Sequence, residues 1–401
     1  MGRFVVKKDR SDFENKTDKT KMLPELYRSH LKNQLNPRLL LTLEVLVWLI
    51  QVHKQVRIER LAAHFPLPIK FESRRRHIQR FLQLPQLSVV LLWFPIISAI
   101  IQAKIKSGKR VYLAIDRTQW QDKNLFVVAV IIEKRAIPIY WQFLSKQGAS
   151  NLVEQKAILR PVIRLLQGYE IVILADREFH SVKLAQWLCE QQVYFVLRQK
   201  KDTLVQQKSQ DYQELTTLEL APGTSQFLTD IKVTKEQGFN QANLAAYWKR
   251  KYRQNREKEP WYLLTNLGNL AEALTAYKKR AGIEAMFKDC KTGGYNLEGS
   301  HASIERLTRL VLLVALAYTW ATLKGRAIKS TGQQIYISRL RTVQQVLTKN
   351  SSFWIGLYGH GWIIGIEFLS EWSQKLMRMA PNKLPFFQRG LRAMILIQSA
   401  F

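Results

Sequence analysis

Two cysteines, Cys189 and Cys290, are all that the 401 residues contain, and they stand far apart. That excludes a disulfide framework and a thiolate zinc site. Both read as small buried residues of a protein kept in a reducing cytoplasm. With no cluster of histidine or cysteine, a metal would have to be held by oxygen ligands. Acidic residues are scarce as well: 31 Asp and Glu face 62 Lys and Arg, a formal charge of +31. The excess is far beyond what solubility needs and implies a polyanionic partner, nucleic acid before an anionic membrane. Long apolar runs are missing too. The windows 87–101 and 310–323 fall short of the roughly 20 residues of a spanning helix, and the first carries Pro95. The charged start of the chain lacks a secretory apolar stretch, and Val6 breaks the myristoylation context of Gly2. The expected partner is therefore a nucleic acid, with no membrane.

What is present falls into blocks. Residues 1–22 form a polar basic arm. Residues 23–108 are patterned as helices punctuated by Pro37, Pro66, Pro68, Pro85 and Pro95, and the first 110 residues hold 22 basic against 8 acidic side chains. Within this block a short amphipathic helix, a proline-containing turn and a second helix bearing Arg74, Arg75, Arg76 and Arg80 outline a helix-turn-helix. The competing reading is a solvated basic helix of a small bundle. The block reads as an α-helical N-terminal DNA-binding domain.

From 109 the pattern changes. The runs 111–116, 125–132 and 136–144 are β-branched and aromatic, and predict a three-strand meander. A helix over 151–167, a buried strand over 169–176, a helix over 180–192 and a strand over 193–199 follow. The order βββαβαβ predicts a mixed α/β sheet covered by helices over 109–202. Residues 203–260 break this regularity, being polar, rich in Gln and Thr, and strand-like in places. They end in a basic run in which Trp248 and Tyr252 interleave with Lys249, Arg250, Lys251 and Arg253, the mixture a backbone-tracking, base-stacking surface needs. A solvated charged helix reads the same way. A strand at 260–267, a helix over 269–294 closed by Gly293 and Gly294, and a long apolar helix over 304–325 complete a block at 261–325. Residues 326–401 carry no readable motif and are expected to serve dimerisation or DNA contact.

Two of the strand-like runs end on aspartate followed by arginine: Asp116–Arg117 and Asp176–Arg177. If the first and fourth strands are neighbours, Asp116 and Asp176 come side by side. Two such carboxylates repel unless a cation lies between them, and the fitting cation is Mg²⁺ or Mn²⁺. A third carboxylate would complete a site for two ions about 3.5–4 Å apart, the geometry of in-line attack at phosphorus. Downstream, Tyr277, Arg280, Glu284 and Lys291 are spaced to share one face of a regular helix.

That spacing resembles the YREK signature of DDE-type insertion-sequence transposases of family four, and Asp116 and Asp176 match the family's first two acidic positions. The resemblance covers roughly 110–300. It implies a ribonuclease-H-like core interrupted between the second aspartate and the glutamate by a mainly β insertion, 203–260. It implies cleavage of transposon ends and their joining to target DNA by a homodimer on DNA, in the bacterial cytoplasm at the nucleoid. It further implies that Asp116, Asp176 and Glu284 hold two Mg²⁺ (or Mn²⁺) ions per active site, and that Tyr277, Arg280 and Lys291 contact DNA phosphates. Trp248 and Trp261 are candidates to receive a flipped base in relatives that excise through a hairpin.

Other residues compete for these roles. Glu298 is an alternative third carboxylate, Glu178 and Asp122 lie close to the aspartates in sequence, and a packed role for Tyr277 is an open alternative. Glu178 pairing with a basic neighbour is another. His180 and His301 read as structural. Two other functions compete: a metal-dependent nuclease without strand transfer, which would use the same carboxylates, and a silent DNA-binding relic, which predicts the loss of a carboxylate where all three are present.

Overall fold

The computed structural model describes residues 23–207, 211–235, 239–250, 259–342, 345–348 and 350–400, side chains at 240, 241, 341, 342 and 345–348 excepted. The N-terminal arm, 1–22, together with Lys251 and Arg253, lies outside the described residues. Helices α1 (Glu25–Leu31), α2 (Pro37–His53), α3 (Ile58–His64), α4 (Phe71–Phe81) and α5 (Phe94–Lys104) precede the first strand. Then come β1 (Arg110–Trp120), β2 (Lys123–Ile132), β3 (Arg135–Phe143), α6 (Leu152–Leu165), β4 (Glu170–Ala175), α7 (Val182–Glu190) and β5 (Tyr194–Arg198). Strands β6 (Leu204–Gln207), β7 (Gln213–Glu214), β8 (Ser225–Val233) and β9 (Phe239–Tyr247) follow. After them stand β10 (Trp261–Thr265), α8 (Leu270–Lys278), α9 (Ala281–Cys290) and α10 (Ile304–Ser330). The chain ends with β11 (Leu340–Thr342), β12 (Gln345–Thr348), α11 (Ser352–Phe368), α12 (Ser370–Arg378) and α13 (Leu384–Ser399).

These elements form two compact units, one of residues 54–60 and 76–319, the other of 1–53, 61–75 and 320–401. The first is a mixed α/β unit on a ten-stranded sheet in the order β3-β2-β1-β4-β5-β10-β9-β8-β6-β7. The meander β1-β2-β3 is antiparallel, whereas β4 runs parallel to both β1 and β5. Its centre is apolar on both faces, as a helix-covered sheet requires: Ile171 to Ala175 of β4 are all buried, as are Val196 and Leu263 beside them. Helix α6 starts on a capping box, in which the Asn151 side chain accepts from the Glu154 N–H and Glu154 accepts from the Asn151 N–H. The strands β6–β9 of the 203–260 segment do not stand apart. They continue the same sheet beyond β10, to which β9 is paired.

Two local expectations need correction. Strand β1 does not stop at Asp116 but runs four residues further to Trp120, still paired with β2. The helix expected over 269–294 is two helices. Between α8 and α9 the N–H groups of Lys279, Arg280 and Gly282 each donate to the carbonyl three residues back, a tight turn that separates the two helices. Gly282 explains the need: a Cβ there would lie 3.1 Å from the Ala136 nitrogen and 3.3 Å from the Lys134 carbonyl, so α9 packs directly on the β2–β3 turn. An ion pair from Arg135 to Asp289 at 2.8 Å fastens the other end of α9 to the same turn.

In the second unit, α10 and α11 approach backbone to backbone at Gly325 and Gly356. Ile328, Ile355, Ile363 and Ile397 form a core beside this crossing. Helix α10 also corrects the argument from length. At 27 residues it is long and apolar enough to cross a membrane, but 78% of its most apolar window is buried inside the protein, as in the core helix of a globular fold.

Candidate active site

The β1–β4 ladder brings the two aspartates together. Its last pair is Ile115 with Ala175, so Asp116 is the next residue of β1 and Asp176 the first residue after β4. Each carboxylate is oriented by the arginine that follows it, but through the backbone: the Arg117 N–H donates to Asp116 Oδ1 at 2.8 Å, and the Arg177 N–H donates to Asp176 Oδ1 at 2.6 Å. The second oxygen of each then faces one nitrogen. Arg280 Nη2 donates to Asp116 Oδ2 at 3.3 Å and to Asp176 Oδ2 at 2.8 Å. Its Nη1 donates to Glu284 Oε1 at 2.5 Å. Asp116, Asp176 and Glu284 therefore converge on a single guanidinium, delivered by the turn between α8 and α9.

Burial makes this charge balance strict. The Arg280 side chain is only 8% exposed, while that of Glu284 is 61% exposed and opens the site to solvent. Burial pushes the Asp116 carboxyl up to about 6; Arg280 and the Arg117 N–H oppose this, and Asp176 and Glu284 add to it. Burial alone would lower the affinity of Arg280 for its proton, but Asp116 and Asp176 outweigh it and raise the pKa. The carboxylate cluster thus demands a cation, and in this arrangement the guanidinium is that cation.

Among the described residues no three His, Cys, Asp or Glu side chains stand at ion-holding distances, and Arg280 lies between the three carboxylates. Their donor chemistry nevertheless fits a hard divalent ion: oxygen ligands only, two of them pre-oriented by backbone N–H groups, and the third on the solvent side.

The remaining signature residues are engaged. Tyr277 is packed in the core of the sheet unit, edge-on to Trp261. Burial pushes its hydroxyl up to about 12, with Arg280 and Asp176 acting on it in opposite senses and Arg198 bonded to it. Lys291, at the end of α9, pairs with Glu298 at 2.6 Å and lies over the Trp120 ring. Glu298 is thus the partner of Lys291. Asp122 is exposed and pairs with Lys123, and the His180 ring donates through Nδ1 to the Arg177 carbonyl. Glu178 pairs with Arg117 at 2.9 Å. Sequence reasoning missed Asn124 and Ser150, which bond to that pair, and Arg198 with Glu259.

The basic candidates divide. Arg74 donates to the carbonyls of Ala62 and Ile69, bracing the turn between α3 and α4, and Arg75 pairs with Glu72. Arg76 and Arg80 are exposed, as are Lys249 and Arg250 beyond β9; Trp248 is half-buried. Trp261 packs between Tyr247 and Tyr277.

No curated protein matches the chain. A solved structure described as a piggyBac transposase synaptic complex with hairpin DNA aligns with 79% of this chain and 69% of its own, at 14% identity and a TM-score of 0.37. Residues 128–320, which take in Asp176 and Glu284 and begin just beyond Asp116, match the family model of the transposase DDE domain.

Proposed function

We propose that the protein is a DDE transposase of the family-four type, with a ribonuclease-H-like core. It cuts the ends of an insertion sequence and joins their 3′-hydroxyls to target DNA. The observation that carries this reading is the convergence of Asp116, Asp176 and Glu284 on Arg280. The family match over 128–320 supports a transposase, and the charge of +31 supports DNA as partner. Two Mg²⁺ or Mn²⁺ ions held by the three carboxylates would supply activation of the attacking hydroxyl and charge stabilisation at the leaving oxygen.

The chain's own groups supply the rest. The Arg117 and Arg177 N–H groups fix which oxygen of each aspartate faces the site. Arg280 offsets part of the carboxylates' charge in the free protein and turns its fork to the phosphate of the cleaved strand when DNA is bound. Lys291 exchanges Glu298 for a second phosphate. Tyr277 acts as a buried support, holding the turn that carries Arg280. Arg76, Arg80, Lys249 and Arg250 track duplex backbone. The protein acts as a homodimer on DNA, in the bacterial cytoplasm at the nucleoid.

A nuclease without strand transfer would use the same carboxylates, so product analysis decides. A labelled duplex carrying the element's own end is incubated with unlabelled plasmid in Mg²⁺ or in EDTA. Label joined covalently to plasmid only with Mg²⁺ is expected. Nicked duplex without joined product would establish the nuclease instead. DNA affinity is also expected to fall steeply with salt, with a log–log slope of about −0.9 per neutralised phosphate and several phosphates involved. A flat response in a filter-binding titration would count against DNA as the partner.

A further inference from the structure

Beyond Asp116 and Asp176, no ladder bond joins β1 to the segment after β4, because the register ends at Ile115 and Ala175. Asp116 is held on its other side by β2, but past Ala175 no ladder fixes the distance from β1 to the segment that carries Asp176. The Arg117 and Glu178 side chains tie the two together. Arg117 Nε donates to Glu178 Oε1 at 2.9 Å and Nη2 donates to Oε2 at 3.0 Å, a two-point fork. The pair is largely buried, with the side chains 15% and 20% exposed.

Both partners are held in turn. Glu178 Oε1 accepts from the Ser150 N–H at 3.1 Å and from its hydroxyl at 3.3 Å, and Gln155 donates to the Ser150 carbonyl at the start of α6. Arg117 Nη1 donates to Asn124 Oδ1 at 2.9 Å. Asn124, fully buried, donates through Nδ2 to the carbonyls of Lys146 and Gly148. Four segments thus meet at one pair: the outer part of β1, the start of β2, the turn after β4, and the β3–α6 connection. A partly buried ion pair is a poor device for stability alone, since apolar packing of the same volume does as well. What the fork adds is fixed distance and direction.

We infer that Arg117 and Glu178 form a positioning strut that, with the end of the β1–β4 ladder, sets the spacing of Asp116 and Asp176 for divalent cations. This rests on the metal-site reading proposed above. The strut touches neither the three carboxylates' outer oxygens nor Arg280, and it acts through the backbone one residue from Asp116 and two from Asp176.

The test is Mn²⁺ occupancy of the full chain, followed by electron paramagnetic resonance and independent of DNA cleavage. Arg117→Ala and Glu178→Ala are each expected to raise the Mn²⁺ concentration for half-occupancy by about 10–100-fold, the usual cost of losing an outer-shell partner. The double variant is expected to be no worse than the weaker single, because the two act as one unit. Glu178→Gln keeps the side chain's size and an acceptor for Ser150, and is expected to give a smaller rise of the same sign; it decides the matter if an alanine variant fails to fold. Wild-type occupancy in Glu178→Gln and in a folded alanine variant overturns the strut while leaving the metal site intact. A wild-type chain that binds no Mn²⁺ overturns the metal site and the strut together.

Discussion

Asp176→Asn is expected to abolish metal-dependent strand cleavage while leaving DNA binding near wild type. The Asp176 side chain has one oxygen fixed by the Arg177 N–H and the other on Arg280. Asparagine keeps the shape, but it offers either a neutral carbonyl or an N–H₂ group to the same point. A neutral amide is a weaker ligand for a hard cation than a carboxylate, and an N–H₂ facing a guanidinium is repulsive. The loss should therefore exceed the roughly 10–100-fold that follows removal of an outer-shell partner. Binding should hold because it rests on phosphate neutralisation by a chain of net charge +31, which the substitution makes one unit more positive. Cleavage rate and filter binding, measured on the same preparation, separate the two effects. Cleavage within tenfold of wild type would remove Asp176 from the reacting site.

The largest effect on stability is expected at Gly356. A Cβ there would lie 1.8 Å from the Ala321 carbonyl oxygen, and one at Gly325 would lie 1.7 Å from that of Ser352. No rotamer change relieves a clash with backbone, so Gly356→Ala must push α10 and α11 apart and strip packing from the core at Ile328 and Ile355. Overpacking of a core typically costs about 1–3 kcal/mol, and this case belongs at or above the top of that range. Gly361 lies on the same helix with nothing within 4 Å of its would-be Cβ. There the same substitution should stabilise by up to about 1 kcal/mol through helix propensity. Urea unfolding of the two variants beside wild type tests the crossing. Equal midpoints would show that it is not close-packed in solution.

Much of the sheet could be read from residue pattern. The β-branched runs mark β1 to β5 because central strands are apolar on both faces, and two Asp-Arg pairs after such runs foretold the neighbouring positions of Asp116 and Asp176. What escaped were features set by tertiary contact. Strand β1 continues through Arg117, Thr118 and Gln119, polar residues that look like a turn until β2 pairs with them. The YREK spacing suits one straight helix, yet α9 must turn to seat Gly282 on the β2–β3 turn. Helical spacing accounts for Arg280 beside Glu284, but not for its reach to Asp116 and Asp176 on the sheet. The Arg117–Glu178 pair joins residues 61 positions apart, and long-range pairing of this kind leaves no local signal.

The central claim is that Asp116, Asp176 and Glu284, and not Glu298, form one metal-dependent site. It is tested most directly by cleavage and joining of a duplex carrying the element's own end, in Mg²⁺ and in EDTA, with Glu284→Gln and Glu298→Gln beside wild type. Mg²⁺-dependent products are expected from wild type and from Glu298→Gln, and none from Glu284→Gln. Products from Glu284→Gln, with none from Glu298→Gln, would contradict it.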